Sequence, residues 1–294
     1  MKAFAVVVLV LFSFLSYAGP IPPENLSGET LRVWLKENWY EGKHNDLGYD
    51  NARRAMYSFT DKDSDGMVTG VYSGFKQASR DTTFLNPINA EHTIPQSWFD
   101  RKSPMKSDLH HLFPTHKKVN TVRSNSPFDD IDDQATEKWY TADDSGLKKI
   151  SNIPTNEIDS YSESVGGEVF EPREDHKGNL ARAVYYFYTM YPDAAGDISE
   201  IAKKEILFQW HLKDPVDDAE KERNSRIEER QGTRNPYIDH PELVARAWEH
   251  DGGNGVDPEI ARNIEALRAE IANLEKTLVK VKAELARLEN SLND

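Results

Sequence analysis

Two adjacent residues, Glu91 and His92, constrain the fold of this chain more than any other pair. They lie in the segment AEHTIPQSWF, which we consider as a β-strand. Neighbouring residues on a regular strand point to opposite faces, so an acid and an imidazole share a site there only if the backbone bulges or twists. Pro95, just downstream, is consistent with such an interruption. We therefore predict an irregular strand at residues 91–92.

A second polar segment, SDLHHLFPTHKKVNTVRSN, follows after a short basic loop. Thr115 can cap a helix that begins after Pro114. In such a helix His116, Asn120 and Arg123 fall on one face, at spacings of four and three residues. The alternative for Asn120 is a local bond to the backbone near the helix end.

Together the two segments supply the groups that metal-assisted hydrolysis of a phosphodiester needs. His92 has a near-neutral reference pKa and is suited to take a proton from water. Glu91 and Asn120 offer the hard oxygen ligands that Mg²⁺ prefers, with Mn²⁺ or Ca²⁺ as alternatives. Arg123 would hold a phosphate.

His110 and His111 are neighbours in the same segment, so we expect one to face the site and the other to be structural. We take His110 and the loop residue Arg101 as further candidates for contact with substrate phosphates. Histidines at this density also raise the possibility of zinc. Zinc-protease chemistry is a weak competitor, because cysteine is absent and no HEXXH motif occurs.

Charge is unevenly distributed along the chain. The formal net charge is −14, which by itself argues against a polyanionic substrate. Between Arg80 and Asn125, however, seven Lys or Arg residues face four Asp or Glu residues, so this window is net +3. It is either a nucleic-acid-binding surface or a solvated charged loop.

The chain divides into four parts. Residues 1–18 have the apolar run and small-residue ending of a secretory signal; a membrane anchor is the alternative, but the run is short for a bilayer span. Residues 19–250 form the main domain, with no cysteine to staple it. A glycine-rich linker follows at 251–259, and a heptad segment at 260–294. We expect a secreted or periplasmic protein with no membrane segment after processing.

Within the main domain, periodicity predicts an α+β fold with a mostly helical body. We predict helices capped by Ser27 and Asp50, a strand over 67–72, a polar loop over 154–167, and helices over 177–191 and 201–210. Leu180, Val184 and Phe187 recur at helical spacing, which is typical of a core face.

The segment DKDSDG, from Asp61 to Gly66, matches the opening of a calcium-binding loop. Its twelfth position is Tyr72, where an EF-hand has a bidentate Glu. We therefore predict a tight turn whose Asp and Gly residues bond the local backbone.

Five blocks of the sequence resemble the secreted endonuclease I family, in particular its cysteine-free Bacillus-type extracellular branch. They are AEHTIPQSWF, PMKSDLHHLFPTHKKVNTVRSN, KGNLARAVYYFYTMY, WHLKDPVDDAEKERN and QGTRNPYIDHPE, and they span roughly residues 27–248. The resemblance implies a ββα-metal (His-Me finger) nuclease that holds one Mg²⁺ or similar ion and cuts DNA, and often RNA, with little sequence preference. On the family pattern Glu91 and Asn120 bind the metal and His92 is the general base.

One departure from the family pattern concerns a cation. Its Vibrio-type members carry a product-stabilising arginine in a long cysteine-bearing loop, and here that loop shrinks to DRKSPM. Arg101 and Arg123 are left as candidates for that role. The competing functional class is a nucleic-acid or surface binding protein that keeps the nuclease fold without turnover, which binding without cleavage in Mg²⁺ would reveal.

The C-terminal segment predicts a homo-oligomer. Apolar residues recur in steps of four and three, a heptad seam over more than four heptads: Ile260, Ile264, Leu267, Ile271, Leu274, Leu278, Val281, Leu285, Leu288 and Leu292. A single amphipathic helix lying on the body is the alternative. A parallel pair would oppose Glu270 to Glu275, so an antiparallel dimer or a higher oligomer stays open.

We predict that the mature chain self-associates through residues 260–294, because an apolar heptad seam is buried by a partner helix. Sedimentation at micromolar concentration should give a dimer or larger species. Truncation after residue 250 should give a monomer of the same domain. A full-length monomer at that concentration contradicts the prediction.

Overall fold

The computed structural model of the protein describes residues 19–248, so the predicted signal and the heptad segment lie outside the described residues. The helices are α1 (Gly28–Trp39), α2 (Tyr49–Ala55), α3 (Lys117–Arg123), α4 (Glu174–Met190), α5 (Lys204–Lys213), α6 (Asp218–Gln231), α7 (Pro236–Asp239) and α8 (Leu243–Ala247). The strands are β1 (Met67–Gly70), β2 (Phe75–Ala78), β3 (Ile88–His92), β4 (Leu112–His116), β5 (Lys138–Asp143), β6 (Gly146–Ile150), β7 (Ser162–Val165) and β8 (Val169–Glu171). The predicted α+β class is confirmed.

Helix α4 is the centre of the main core. Fourteen of its seventeen residues are buried, and it packs against α1, α5 and α7. Leu180, Val184 and Phe187 are fully buried, as their spacing predicted. The helix begins three residues before the predicted start, since Glu174 and Asp175 in its first turn favour the positive end of the helix dipole. This core holds the fold without a disulfide.

A second, smaller core lies beneath β3, which carries Glu91 and His92, and its partner strand β4. It joins Met56 and Tyr57, in the π-helical turn that continues α2, to Ile88 on β3 and Leu112 on β4. These side chains are at most 1% exposed. Helix α2 is thereby fixed against the β3–β4 pair, which sets its position relative to both predicted site residues.

Three antiparallel sheets form within residues 19–248: β1–β2, β3–β4, and a four-stranded sheet in the order β6–β5–β7–β8. The prediction of a loop over 154–167 is wrong for residues 162–165, which form β7 between β5 and β8. Its side chains are polar and therefore gave no strand pattern. They are buried because partners from elsewhere satisfy them: Glu163 accepts from Thr136, and Ser162 donates to the Tyr72 carbonyl.

Two predicted helix starts shift. Helix α2 follows Gly48, and Asp50 lies in its first turn rather than at the cap. Strand β4 runs through Thr115 to His116, and α3 begins only at Lys117. His116 caps α3 by accepting from the Lys118 N–H at 3.2 Å. Pairing with β3 keeps Thr115 extended, because the sheet supplies its backbone bonds.

The segment Asp61–Gly66 forms the predicted turn. The Asp65 side chain accepts from the Met67 N–H, and the Gly66 N–H donates to the Asp63 carbonyl. Gly66 has φ +81°, a conformation that favours glycine. Across the described part of the chain, no helix is long and apolar enough to cross a membrane.

Candidate functional site

Glu91 lies at the centre of the strand–strand–helix unit formed by β3, β4 and α3. It pairs in register with Phe113, and its side chain is almost fully buried. Its Oε1 atom accepts a hydrogen bond from the Tyr72 hydroxyl at 3.1 Å and lies 3.1 Å from Nη1 of Arg123. No residue between 19 and 248 hydrogen-bonds its other oxygen, Oε2. One carboxylate oxygen is therefore held in place while the other stays open to a ligand.

His92 is the last residue of β3 and is 5% exposed. Its Nε2 lies 3.0 Å from the Lys106 carbonyl oxygen. A carbonyl only accepts, so Nε2 carries the proton and Nδ1 presents a lone pair. Burial lowers the pKa of His92 to about 3, and the neighbouring His111 ring and the Lys106 ammonium act in the same direction. The imidazole is therefore neutral over the whole physiological range, as a base must be.

The irregular strand predicted at residues 91–92 contains no bulge. Pairing runs without interruption from Ile88 opposite His116 to His92 opposite Leu112. The two side chains nevertheless share neighbours, because the strand ends at His92. Burial raises the pKa of Tyr49, and the nearby Glu91 carboxylate adds to that rise; the Tyr49 ring centroid lies 5.5 Å from that of His92. Glu91 and His92 thus border a common region without a bulge.

Burial raises the pKa of the Glu91 carboxyl to about 7. The charge of Arg123 and the Tyr72 hydrogen bond act in the opposite direction. A buried carboxyl with its pKa in this range takes up a proton in mildly acidic solution and is ionised above it. A cation at Oε2 would favour the ionised form.

Asn120 is half-buried on α3 and reaches back to β3. Its Nδ2 donates to the Asn89 side-chain oxygen at 2.9 Å and to the Ala90 carbonyl at 3.2 Å. Because only the amide nitrogen can donate to a carbonyl, these bonds identify the opposite atom as Oδ1. No residue of the described range hydrogen-bonds that oxygen. Asn120 therefore adds an uncharged amide oxygen to the open carboxylate oxygen of Glu91, beside the same strand.

Arg123 is 1% exposed and is bonded on several sides. Nη1 donates to the His92 carbonyl at 3.1 Å and Nη2 to the Thr93 carbonyl at 2.7 Å, besides the ion pair with Glu91. Its guanidinium lies 4.4 Å from the centre of the Phe128 ring. This position is structural: Arg123 ties α3 to the end of β3 and does not present its charge to an external phosphate.

The other candidates lie outside this group. His110 is 2% exposed, donates from Nε2 to the Thr233 carbonyl and packs on Tyr186. We therefore assign His110 to the interior rather than to a substrate-binding surface. His116 is occupied as the cap of α3. Arg101 is exposed on the loop after β3, and within residues 19–248 its side chain makes no hydrogen bond or ion pair with the Glu91 and His92 region.

Sequence reasoning missed three contributors to the site, Tyr49, Tyr72 and Lys106. None of them belongs to the acid–imidazole pair or to the polar face of α3, and each reaches the site through a contact with Glu91 or His92. No local signal identifies them, since the contacts join residues 14 to 43 positions apart in the sequence. Residues 19–248 contain no group of three or more His, Cys, Asp or Glu side chains arranged for a metal.

We predict that Arg123→Met lowers the free energy of unfolding by about 3–5 kcal/mol, because it leaves a buried carboxylate without its cation. Removal of the cation raises the pKa of Glu91 further. A carboxyl whose folded pKa exceeds its unfolded value gains a proton on folding, so its stability contribution falls as pH rises. The loss measured by urea unfolding should therefore be larger at pH 8 than at pH 5.

The matched control is Arg101→Met, which removes an exposed arginine and should change stability by no more than about 0.5 kcal/mol. Equal stability of the Arg123→Met and Arg101→Met proteins at pH 8 would show that the ion pair does not hold the site together.

Comparison with known proteins extends this picture. A sequence model of the endonuclease I family matches residues 27–242. An extracellular ribonuclease of Bacillus subtilis (strain 168) is 33% identical over 240 residues, covering 76% of this chain and 71% of the relative. An extracellular ribonuclease of Bacillus amyloliquefaciens is 30% identical, covering 70% of each chain. An extracellular deoxyribonuclease of Aeromonas hydrophila is 27% identical, covering 60% of this chain and 75% of the relative.

The family match spans nearly all of the described residues and includes every element of the site. The resemblance inferred from the sequence blocks is therefore confirmed: this chain belongs to the endonuclease I family of nucleases.

Proposed function

We propose that this chain is an exported, metal-dependent endonuclease that hydrolyses phosphodiester bonds in DNA and in RNA. The observation that carries the proposal is the set of three unpaired atoms on β3 and on the helix bonded to it: Glu91 Oε2, Asn120 Oδ1 and His92 Nδ1. Each belongs to a side chain whose other polar atom is already bonded. The free atoms are therefore oriented by the protein rather than by solvent.

The oxygen atoms fit a hard divalent cation. Mg²⁺ is commonly bound by one or two protein oxygens and completes its shell with water and substrate phosphate, so two protein ligands suffice. Glu91 and Asn120 would hold it. When bound, the cation would neutralise charge on the phosphoryl group and on the departing oxygen. Mn²⁺ and Ca²⁺ use the same ligand types and are alternatives.

His92 supplies the base. Its Nδ1 would take a proton from the water that attacks phosphorus, while Nε2 remains bonded to the Lys106 carbonyl. That hydrogen bond keeps the ring orientation and strengthens when the imidazole becomes positive. Tyr72 and Arg123 hold Glu91 in position throughout, so no rearrangement of the buried groups is needed.

The substrate class follows from this chemistry and from the relatives. Attack by water requires no 2′-hydroxyl, so the same groups would serve DNA and RNA. The relatives' names support both RNA and DNA as substrates, since two of the relatives described above are ribonucleases and one is a deoxyribonuclease. Relatives described as extracellular also support a secreted or periplasmic location for this chain. The segment 260–294 would add self-association to the nuclease domain.

We predict that the mature chain digests plasmid DNA, single-stranded DNA and RNA with Mg²⁺, and that EDTA abolishes digestion. Glu91→Gln and Asn120→Ala should weaken it by removing oxygen ligands, and His92→Ala should lower kcat by about a hundredfold or more. Initial rates on each substrate give the measurement. The matched histidine control is His240→Ala, whose ring contacts Trp39 and Glu242, outside the site.

Full activity of His92→Ala would contradict the role of the base. Digestion that persists in EDTA would contradict the role of the cation. Binding of nucleic acid without any cleavage in Mg²⁺ would instead support a binding protein that keeps the nuclease fold.

The pKa directions predict the pH profile. The Glu91 carboxyl must be ionised to bind the cation, and its pKa is raised to about 7, whereas His92 is already neutral well below that pH. At low Mg²⁺, kcat/KM should therefore rise through about pH 7 and then level off. Higher Mg²⁺ should move the midpoint to lower pH, because cation and proton compete for one carboxylate. A midpoint that is independent of Mg²⁺ contradicts this assignment.

A further inference from the structure

Two cations surround the tyrosine that borders His92. The guanidinium carbon of Arg53 lies 4.3 Å from the centre of the Tyr49 ring, and Nζ of Lys106 lies 4.7 Å from it. The Tyr49 ring centroid is 5.5 Å from that of His92. Two positive groups, an aromatic ring and the proposed base therefore lie side by side, on elements far apart in sequence.

Each cation is held there by the fold. Tyr49 and Arg53 lie four residues apart on α2, so their side chains stack on one face of the helix. Lys106 lies in a short helical turn, Met105–Ser107. Its backbone carbonyl accepts a hydrogen bond from Nε2 of His92. Its charge also acts on the imidazole, since it contributes to the lowered pKa of His92. The same residue thus orients the base and places an ammonium beside it.

The hydrogen-bonding capacity of both cations is largely unused. Arg53 has five N–H donors, and its one side-chain partner within residues 19–248 is Oδ1 of Asp50, at 2.6 Å. That carboxylate is 73% exposed, so the pair is weak and easily exchanged. Nε of Arg53 is buried without a hydrogen-bond partner. Lys106 has no carboxylate partner among the described residues. Half-buried cations whose N–H donors have so few partners are suited to bind an anion.

We propose that Arg53 and Lys106 form a phosphate subsite beside His92, which holds a backbone phosphate of the bound strand next to the bond that is cut. The proposal rests on the function proposed above and gives the site a cation besides Arg123, whose charge is buried in the ion pair with Glu91. Arg53 can bind two phosphate oxygens through its planar fork, and Tyr49 keeps that fork in orientation by stacking. Lys106 adds a point charge from the other element.

Equilibrium binding tests the subsite separately from catalysis. A short fluorescent DNA duplex is titrated with the His92→Ala protein in Mg²⁺ over a range of salt concentrations. Adding Arg53→Gln or Lys106→Gln should weaken binding and lower the slope of log K against log salt by about one for each cation removed. Arg53→Lys should keep the slope, since it keeps the charge. Thermal melting of each variant checks that the domain is folded.

The matched control is Arg54→Gln, the next residue of the same helix. Arg54 is 47% exposed and pairs with the exposed Asp81 rather than with Tyr49. The Arg54→Gln substitution should leave both the affinity for the duplex and the salt slope unchanged. Slopes of Arg53→Gln and Lys106→Gln that equal the slope of Arg54→Gln would overturn the subsite.

Cleavage assays separate this outcome from failure of the proposed function. With His92 intact, Arg53→Gln should lower kcat/KM on plasmid while the pH midpoint stays in place, because Glu91 and His92 are untouched. A wild-type protein that binds the duplex but never cuts contradicts the proposed function, and the salt slopes still decide the subsite. A protein that does not bind the duplex at all contradicts both.

Discussion

The buried ion pair between Arg123 and Glu91 is the interaction on which the site depends. A carboxylate and a guanidinium that are both nearly excluded from water are stable together only when further bonds satisfy them. Arg123 meets this condition through the carbonyls of His92 and Thr93, and Glu91 through the Tyr72 hydroxyl. One arginine thereby joins α3 to the end of β3 and fixes the direction of the Glu91 carboxylate, while the Lys106 carbonyl orients the His92 ring.

Burial also sets the chemistry of the site. The same exclusion of water raises the pKa of Glu91 and lowers that of His92. Glu91 would lose its proton near neutral pH when a cation binds to it, and His92 stays an uncharged base. The cysteine-free core around α4 and the smaller core beneath β3 and β4 supply the rigidity that such burial requires.

Much of this site could be predicted from local sequence. Glu91 and His92 stand out as an adjacent acid and imidazole, and Asn120 follows in a helix-forming segment with an open amide oxygen. The burial of Arg123 could not be predicted, because helical spacing places a side chain on one face of the helix without showing whether that face is exposed to solvent. His110 was misjudged for the same reason: its strand-like alternation does not reveal that Thr233 lies against it.

The sequence by itself determined the family, the α+β class, the apolar face of α4 and the residue types at the strand end, since these depend on composition, period and motif. Only the tertiary structure decided which polar groups are buried and which stay open. Tyr72, Tyr49 and Lys106 reach Glu91 and His92 across more than a dozen intervening residues, through contacts made by packing. Hydrogen-bond partners and access to water are properties of that packing, and no local pattern encodes them.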